Sequence, residues 1–436
     1  MFYRIKIVVH RLICLKRRYI LITLIASILV FSIVVLVHEY GHYRAAISVG
    51  IKVEEFAIGM GPTIYKREKN GIIYSIRLLP IGGFVNMVGE DENVDTSESY
   101  MNKTVWQRFK VIVAGPLMNF LLAIVIYIIM SAVYGVPGTT IDLIDSNSEL
   151  YKAGVRTGDK IVSVNDSNVY IRDDLVTGIT VEEKPYKVTV KRDGETLKFD
   201  VNQYYRYVIG IYPYDDNNQS ASSVIKPSDN KLPAYKAGIR EGDKIVKING
   251  IDVENYKQVT EIILGSKGEN LDITVQRNSE LLNFSVVPQK DLQIGFDTKI
   301  EKSILTGIVS SFYKTIHYVK LMFNFIGMLV TGRVGAESVG GPVMVISMIG
   351  DSAKLIKTQG LYPLLNLLAF LSVNLGFMNL LPIPALDGSK IMFLLIEKLR
   401  GKKIPIEKEG FVHFVGFVLL ISLMVFITYK DIMRLF

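Results

Sequence analysis

The chain is 436 residues long, with 50 Lys and Arg against 42 Asp and Glu for a formal charge of +8, and 49% of it is hydrophobic while 21% is charged. So apolar a composition at this length excludes one soluble domain, and the remaining charge requires that membrane spans alternate with water-exposed modules. The positive balance adds little beyond contact with anionic lipid and gives no pattern for nucleic acid, and the single Cys14 excludes an intrachain disulfide.

Residues 1–18 form a basic tail with Arg4, Lys6, Arg11, Lys16, Arg17 and Arg18. It looks like the n-region of a signal peptide, but the apolar run behind it is longer than a usual h-region and no small-residue cleavage pattern follows, so the tail is expected to be retained. Residues 19–37 are nineteen uncharged, mostly apolar residues, and His38-Glu39-Tyr40-Gly41-His42 follows them directly. This is an HExxH motif. On a continuing helix His38 and His42 lie one turn apart on one face, where both imidazoles can hold one Zn²⁺, and Glu39 stands beside it. A carboxylate there can take a proton from water and pass it to a leaving amine, which is peptide hydrolysis. The competing reading is a transporter's proton or ion relay, since ionisable groups in a span are usually functional; a relay needs no HExxH spacing.

Three further stretches, 111–141, 358–386 and 410–429, are long and apolar enough to cross a hydrocarbon core. Between the first two spans, residues 74–90 read as strand, a Pro80-Ile81-Gly82-Gly83 turn, and strand. After the second span comes an internal repeat: Tyr151-Lys152-Ala153-Gly154-Val155-Arg156-Thr157-Gly158-Asp159-Lys160-Ile161-Val162 returns as Tyr235-Lys236-Ala237-Gly238-Ile239-Arg240-Glu241-Gly242-Asp243-Lys244-Ile245-Val246, an offset of 84 residues from Tyr151 to Tyr235. That period suits a small domain occurring twice, with strands expected at 187–190 and 272–275. The pattern, which continues to Asn165 and Asn249, resembles that of PDZ domains. Near the expected end of each copy lies an apolar-Gly-apolar segment, Ile209-Gly210-Ile211 and Ile294-Gly295-Phe296. By resemblance each is a carboxylate-binding loop whose backbone amides receive a peptide end beside an extendable strand edge; the alternatives are ordinary strand-to-turn residues and a domain that serves as a steric lid.

With the HExxH span and two PDZ-like copies, the chain resembles the site-2 protease family, in particular the bacterial regulator-of-sigma-E protease group. The resemblance covers most of residues 19–430. It implies a polytopic α-helical membrane protein of about four transmembrane helices, with a membrane-associated β-hairpin and two inserted PDZ-like α/β domains. The expected layout is the tail at 1–18, the HExxH span at 19–49, the hairpin loop at 50–104, the second span at 105–136 and PDZ-like copies at 137–215 and 216–299. Amphipathic membrane-surface helices at 300–357, the third span at 358–388, a loop at 389–409 and the fourth span at 410–430 complete it.

Asn379-Leu380-Leu381-Pro382-Ile383-Pro384-Ala385-Leu386-Asp387-Gly388 matches the family's N-x-x-P-x-P-x-L-D-G motif, which implies Asp387 as the third zinc ligand. The prolines prevent a regular helix there. Ser389-Lys390 follows where the family often has a second Gly and a basic residue or His. Gly115-Pro116-Leu117-Met118-Asn119 resembles the G-P-x-x-N signature, with Asn119 either near the active site or an interhelical hydrogen bond. The hairpin with Gly82 and Gly83 would offer an edge strand to an unwound substrate, with Asn374, Asn379 and Pro382 across the cleft. Phe312, Ile316, Val319, Met322 and Phe323 against Lys314, His317 and Lys320 suit a helix on the outer membrane surface, as a gate or as a dock for the PDZ-like copies.

Basic residues in the loops after span one and before span four place both in the cytoplasm of a bacterial cell. The PDZ-like pair then faces outside, and the basic tail runs against the same rule. The implied function is intramembrane zinc proteolysis of single-pass membrane proteins, such as anti-sigma factors or remnant signal peptides, already trimmed by an upstream site-1 type protease. The alternative is an inactive membrane scaffold that binds peptides through its PDZ-like domains, which would have no use for Glu39 between two ligands.

Overall fold

The computed structural model describes residues 2–90, 92, 94–180, 184–214, 222–227, 232–335 and 338–433, without the side chains of 2–18, 80 and 81. The side chains of the basic tail, and Pro80 and Ile81, therefore lie outside the described residues. The chain divides into two compact units, Met1–Val136 with Ile300–Phe436, and Pro137–Lys299.

Among the described residues of the first unit four helices are long and apolar enough to cross a membrane: Tyr19–Ser48, Val105–Tyr134, Tyr362–Leu380 and Ile406–Met433. The first belongs to a helix running Phe2–Ser48. The second opens on a capping box between Thr104 and Gln107, which satisfies amides the helix start would leave bare. It stops at Gly135 (φ 79°), and the apolar run 111–141 continues as the strand Val136–Ile144 instead of as helix. Apolarity alone does not separate a buried strand from a span; the glycine does. Val30, Val34, Ala123, Ile126, Leu368 and Val373 form a buried core joining the first three spans, while Leu21, Leu121, Val125, Phe414 and Leu419 point outward as lipid-facing side chains must.

Residues 50–104 fold differently from a hairpin turning at 80–83. The strands Val53–Lys69 and Ile72–Met87 pair along their whole length and turn at Asn70-Gly71, both with positive φ. Each strand is bent: Phe56 pairs with both Tyr74 and Val85, so 55–58 is sandwiched between 73–76 and 83–86. Gly82 and Gly83 thus lie within a strand, and Ile58 pairs with Gly83. Positive φ at Gly59, Gly61 and Gly82 permits the bends.

The residues 300–357 expected as amphipathic surface helices include the helix Ile304–Val330. Its small and polar residues Gly307, Ser311, Thr315 and His317 are buried, whereas Phe312, Ile316 and Phe323 are exposed. Tyr318 stacks near Tyr127 of the second span, and Phe323 meets Phe377 of the third edge-on. Val319 and Met322 nevertheless pack against the core of the spans and Lys320 is exposed, so each side of this helix carries both apolar and polar residues.

In the second unit the repeat yields two cores of one pattern, around Ile161, Val188 and Val190 and around Ile245, Ile273 and Val275. The expected strands fall within Tyr186–Arg192 and Leu271–Arg277. The two copies are not consecutive halves divided at 216. The strand Phe296–Glu301 joins the first sheet beside Val136–Ile144, and Phe296 is buried in the first core, whereas Ile209 and Ile211 are buried in the second. The second copy is therefore inserted into the first, and the chain passes out and back along an antiparallel ribbon of Tyr204–Val208 and Gln289–Gln293. The 85-residue step from Ile209 to Ile294 fits either arrangement, so the pattern alone does not assign each loop to its copy.

Candidate metal centre

His38 and His42 lie one helical turn apart on the first span, and their Nε2 atoms are 3.2 Å from each other. The Oδ2 atom of Asp387 lies 3.2 Å from His38 Nε2 and 3.4 Å from His42 Nε2. These three residues form the cluster in which one ligand atom from each lies within 4.8 Å of the others. Three donors converge on one point, and both histidines are buried.

Asp387 is not on the third span itself. That helix ends at Leu380, residues 381–386 are irregular, and Asp387 begins the helix Asp387–Arg400. Pro382 and Pro384 prevent continuation, Ala385 takes a positive φ of 75°, and Gly388 allows the tight turn because a Cβ there would collide with the Leu380 and Leu381 carbonyls. The fourth span holds this bend. His413 Nδ1 accepts from the Ala385 amide at 3.1 Å, and Gly416 leaves room for Pro384.

The second span positions both histidines. The carbonyl of Val111 lies 2.8 Å from His42 Nδ1, and since a carbonyl only accepts, that nitrogen carries the proton and leaves Nε2 a lone pair for metal. Asn119 Nδ2 lies 3.1 Å from His38 Nδ1 while its own Oδ1 has no partner. Turning the amide over lets Oδ1 accept from His38 Nδ1–H, again freeing Nε2. Asn119 in turn is held by Ser372, which donates to its backbone carbonyl at 2.8 Å. Close approach is possible because Gly41, Gly115 and Gly376 have no side chain: a Cβ on Gly41 would strike the backbone of Ala114, one on Gly115 the ring of His42, and one on Gly376 the carbonyl of Pro116.

Among the other expected site residues, Asn379 reaches His38 Nε2 at 3.2 Å, on the metal side of the ring. Pro382 is exposed in the irregular segment, and Asn374 is half-buried one turn and a residue before Asn379. Gly83 borders Glu39: a Cβ on it would lie 3.3 Å from Glu39 Cγ. Gly82 meets the side chain of Met60 instead. Ile209, Gly210, Ile211, Ile294, Gly295 and Phe296 belong to the second unit, where each glycine has φ 78°. Gly41, Gly376, Ser372, His413 and the Val111 carbonyl were not singled out from sequence; Gly41, inside HExxH, was the one with a visible signal.

The donor set fits a tetrahedral transition-metal ion with an open position. Asp387 Oδ2 is buried without a hydrogen-bond partner, and both imidazoles are held in the tautomer that directs Nε2 toward it. An orphaned carboxylate oxygen facing two imidazole lone pairs is unfavourable without a cation between them.

The model of peptidase family M50 matches residues 26–423, and the chain belongs to that family. It is 32% identical over 438 residues to the regulator of sigma-W protease RasP of Bacillus subtilis, covering 95% of this chain and 99% of that one. It is also 32% identical over 440 residues to the zinc metalloprotease RasP of Geobacillus kaustophilus, covering 95% and 98%. Among solved structures, a PDZ domain of HtrA3 bound to a phage-derived ligand overlaps 21% of this chain and 92% of that one, at 26% identity and a TM-score of 0.17. The chain is a membrane metalloprotease of the site-2 type.

Proposed function

We propose that zinc is held by His38, His42 and Asp387, and that Glu39 is general base and then general acid in hydrolysis of a peptide bond within or near a transmembrane segment. The observation that carries this is the convergence of the three ligand atoms one residue from Glu39 on the same helix, with the Gly83 strand beside the Glu39 side chain. Bound zinc would lower the pKa of water and polarise the scissile carbonyl. Glu39 takes the proton and delivers it to the leaving amine. A transmembrane helix shields its peptide bonds, so the substrate must first unwind. Residues 83–86 pair with 55–58 on one side, and their other edge, unpaired among the described residues, can accept an extended substrate backbone. Asn379 and Asn374 then serve the backbone groups the substrate gives up, with Pro382 bounding the cleft and Asn119 holding His38.

The substrates in this reading are single-pass membrane proteins first shortened by another protease, such as anti-sigma factors, or remnant signal peptides. The basic loops 50–104 and 389–409 would lie in the cytoplasm, the zinc toward that face, and the two repeats outside. Each repeat is PDZ-like. In the second, Ile209-Gly210-Ile211 and the helix Tyr256–Gly265 bound a cavity of about 360 Å³, and in the first, Ile294-Gly295-Phe296 lines one of about 560 Å³. They would receive a newly made carboxy end or exclude bulky ectodomains.

The test is cleavage of a single-pass substrate with a trimmed ectodomain in liposomes, comparing the parent protein, Glu39→Gln and chelator treatment, with metal content measured alongside. Glu39→Gln should retain zinc and lose at least about 10²-fold in rate. Equal turnover with and without Glu39 would reject the mechanism, and peptide binding without cleavage in both proteins would favour the scaffold.

A further inference from the structure

Lys390 lies one turn beyond Asp387 on the helix Asp387–Arg400, and its Nζ donates to Glu90 Oε1 at 2.5 Å. Both are mostly buried, with side-chain exposures of 28% and 17%. Glu90 is itself well fixed. It follows the strand Ile72–Met87 in a turn closed by its own amide to the Met87 carbonyl, and the flanking backbone is tied by Tyr100 N–H to Val88 O at 2.8 Å and Val88 N–H to Lys52 O at 3.0 Å. The pair lines a cavity of about 510 Å³ with Tyr100, Glu409 and His413, and Ala385, two residues before Asp387, forms part of the same wall. Nothing in the proposed hydrolysis uses these groups.

The ligand helix needs such an anchor because the segment before it lacks regular helical hydrogen bonds, so where Asp387 sits depends on where its helix is held. At the far end Glu397 pairs with Arg108, a 3% exposed side chain on the second span, which also carries the Val111 carbonyl and Asn119 that hold the histidines. At the near end Lys390 is the charged tether. A partly buried ammonium left alone loses some of its hydration without compensation, so the helix is favoured in the position where Lys390 meets Glu90.

We infer that Lys390 is a positioning residue for the metal centre: its ion pair with Glu90 clamps the ligand helix to the end of the bent strand pair and sets Asp387 against His38 and His42. The inference concerns metal binding by the three-ligand cluster, and its readout is independent of whether a peptide is cut.

The experiment uses the full chain in detergent micelles, with Zn²⁺ affinity measured by chelator competition and the Co²⁺-substituted protein examined by its electronic absorption bands, which report ligand geometry. Lys390→Met and Glu90→Gln should each weaken Zn²⁺ binding about tenfold, the low end of what loss of a ligand-orienting group costs, and alter the Co²⁺ bands. Lys390→Arg and the charge exchange Glu90→Lys with Lys390→Glu should restore both. Parent-like affinity and Co²⁺ bands in Lys390→Met would overturn the inference. So would failure of both restoring variants in proteins whose thermal unfolding matches that of the parent.

Discussion

His42 donates from Nδ1 to the backbone carbonyl of Val111 at 2.8 Å, and this contact decides which ring nitrogen is left for a metal. A backbone acceptor cannot be mutated away, but its counterpart on the other histidine can. Asn119→Leu removes the partner of His38 Nδ1 and should weaken Zn²⁺ binding about tenfold to a hundredfold, whereas Asn119→Asp, which keeps an acceptor, should bind as the parent does. Chelator competition measures both. Unchanged affinity in Asn119→Leu would reduce Asn119 to an interhelical contact.

Gly115 faces His42 so closely that a Cβ would overlap the imidazole ring. Gly115→Ala should therefore cost about 1 to 3 kcal/mol of stability through overpacking and also displace a ligand. Zinc stoichiometry and thermal unfolding in detergent should fall together. Gly410→Ala, with nothing within 4 Å of the added carbon, is the matched control and should change neither.

Much of the site was legible because its chemistry is written in short strings. His38, Glu39 and His42 need only a helix to meet, and two prolines before Asp387 mark a broken span that sequence shows directly. What was hidden depends on packing between distant segments. The exchange of Phe296–Glu301 into the first sheet leaves the repeat spacing unchanged, so only burial of Phe296 with Val188, and of Ile209 with Ile273, reveals it. The packing of the helix Ile304–Val330 was hidden for a related reason: Ser311 and Thr315 are buried while Phe312 and Ile316 are exposed, so polarity alone does not say which residues meet protein.

The repeated Asp-Arg pairs give a prediction about acid stability. Asp159 is held by Arg192 at 2.7 Å, and Asp243 by Arg277 at 2.7 Å in the second copy. Burial alone would push the Asp159 carboxyl up, but the Arg192 guanidinium and the Arg156 amide more than offset it and hold it below the usual carboxylate range. A depressed folded pKa means that the contribution is full above the unfolded value of about 3.9 and is lost as pH falls through the folded one. Denaturant unfolding of the full chain, followed from pH 6 down to pH 3, should show Asp159→Asn less stable at pH 6 and the gap closing toward pH 3. A constant gap would show that the charge of Asp159 is not what stabilises the fold.

The last prediction concerns Ala385, a residue with φ 75° two places before Asp387, the third proposed metal ligand. That conformation costs an L-residue roughly 1 kcal/mol or more, and the fold recovers part of it through the amide that His413 accepts. Ala385→Gly should therefore be neutral or slightly stabilising and should keep zinc. Ala385→Val, β-branched and poorly tolerated at positive φ, should reduce both stability and zinc content. His413→Leu leaves the Ala385 amide without its acceptor and should cost about 1 to 3 kcal/mol. If the bend positions Asp387, the losses of zinc should rank Ala385→Val above His413→Leu, with Ala385→Gly unchanged. Equal zinc affinity in all three, measured by chelator competition, would mean that the ligand helix is placed without help from the bend.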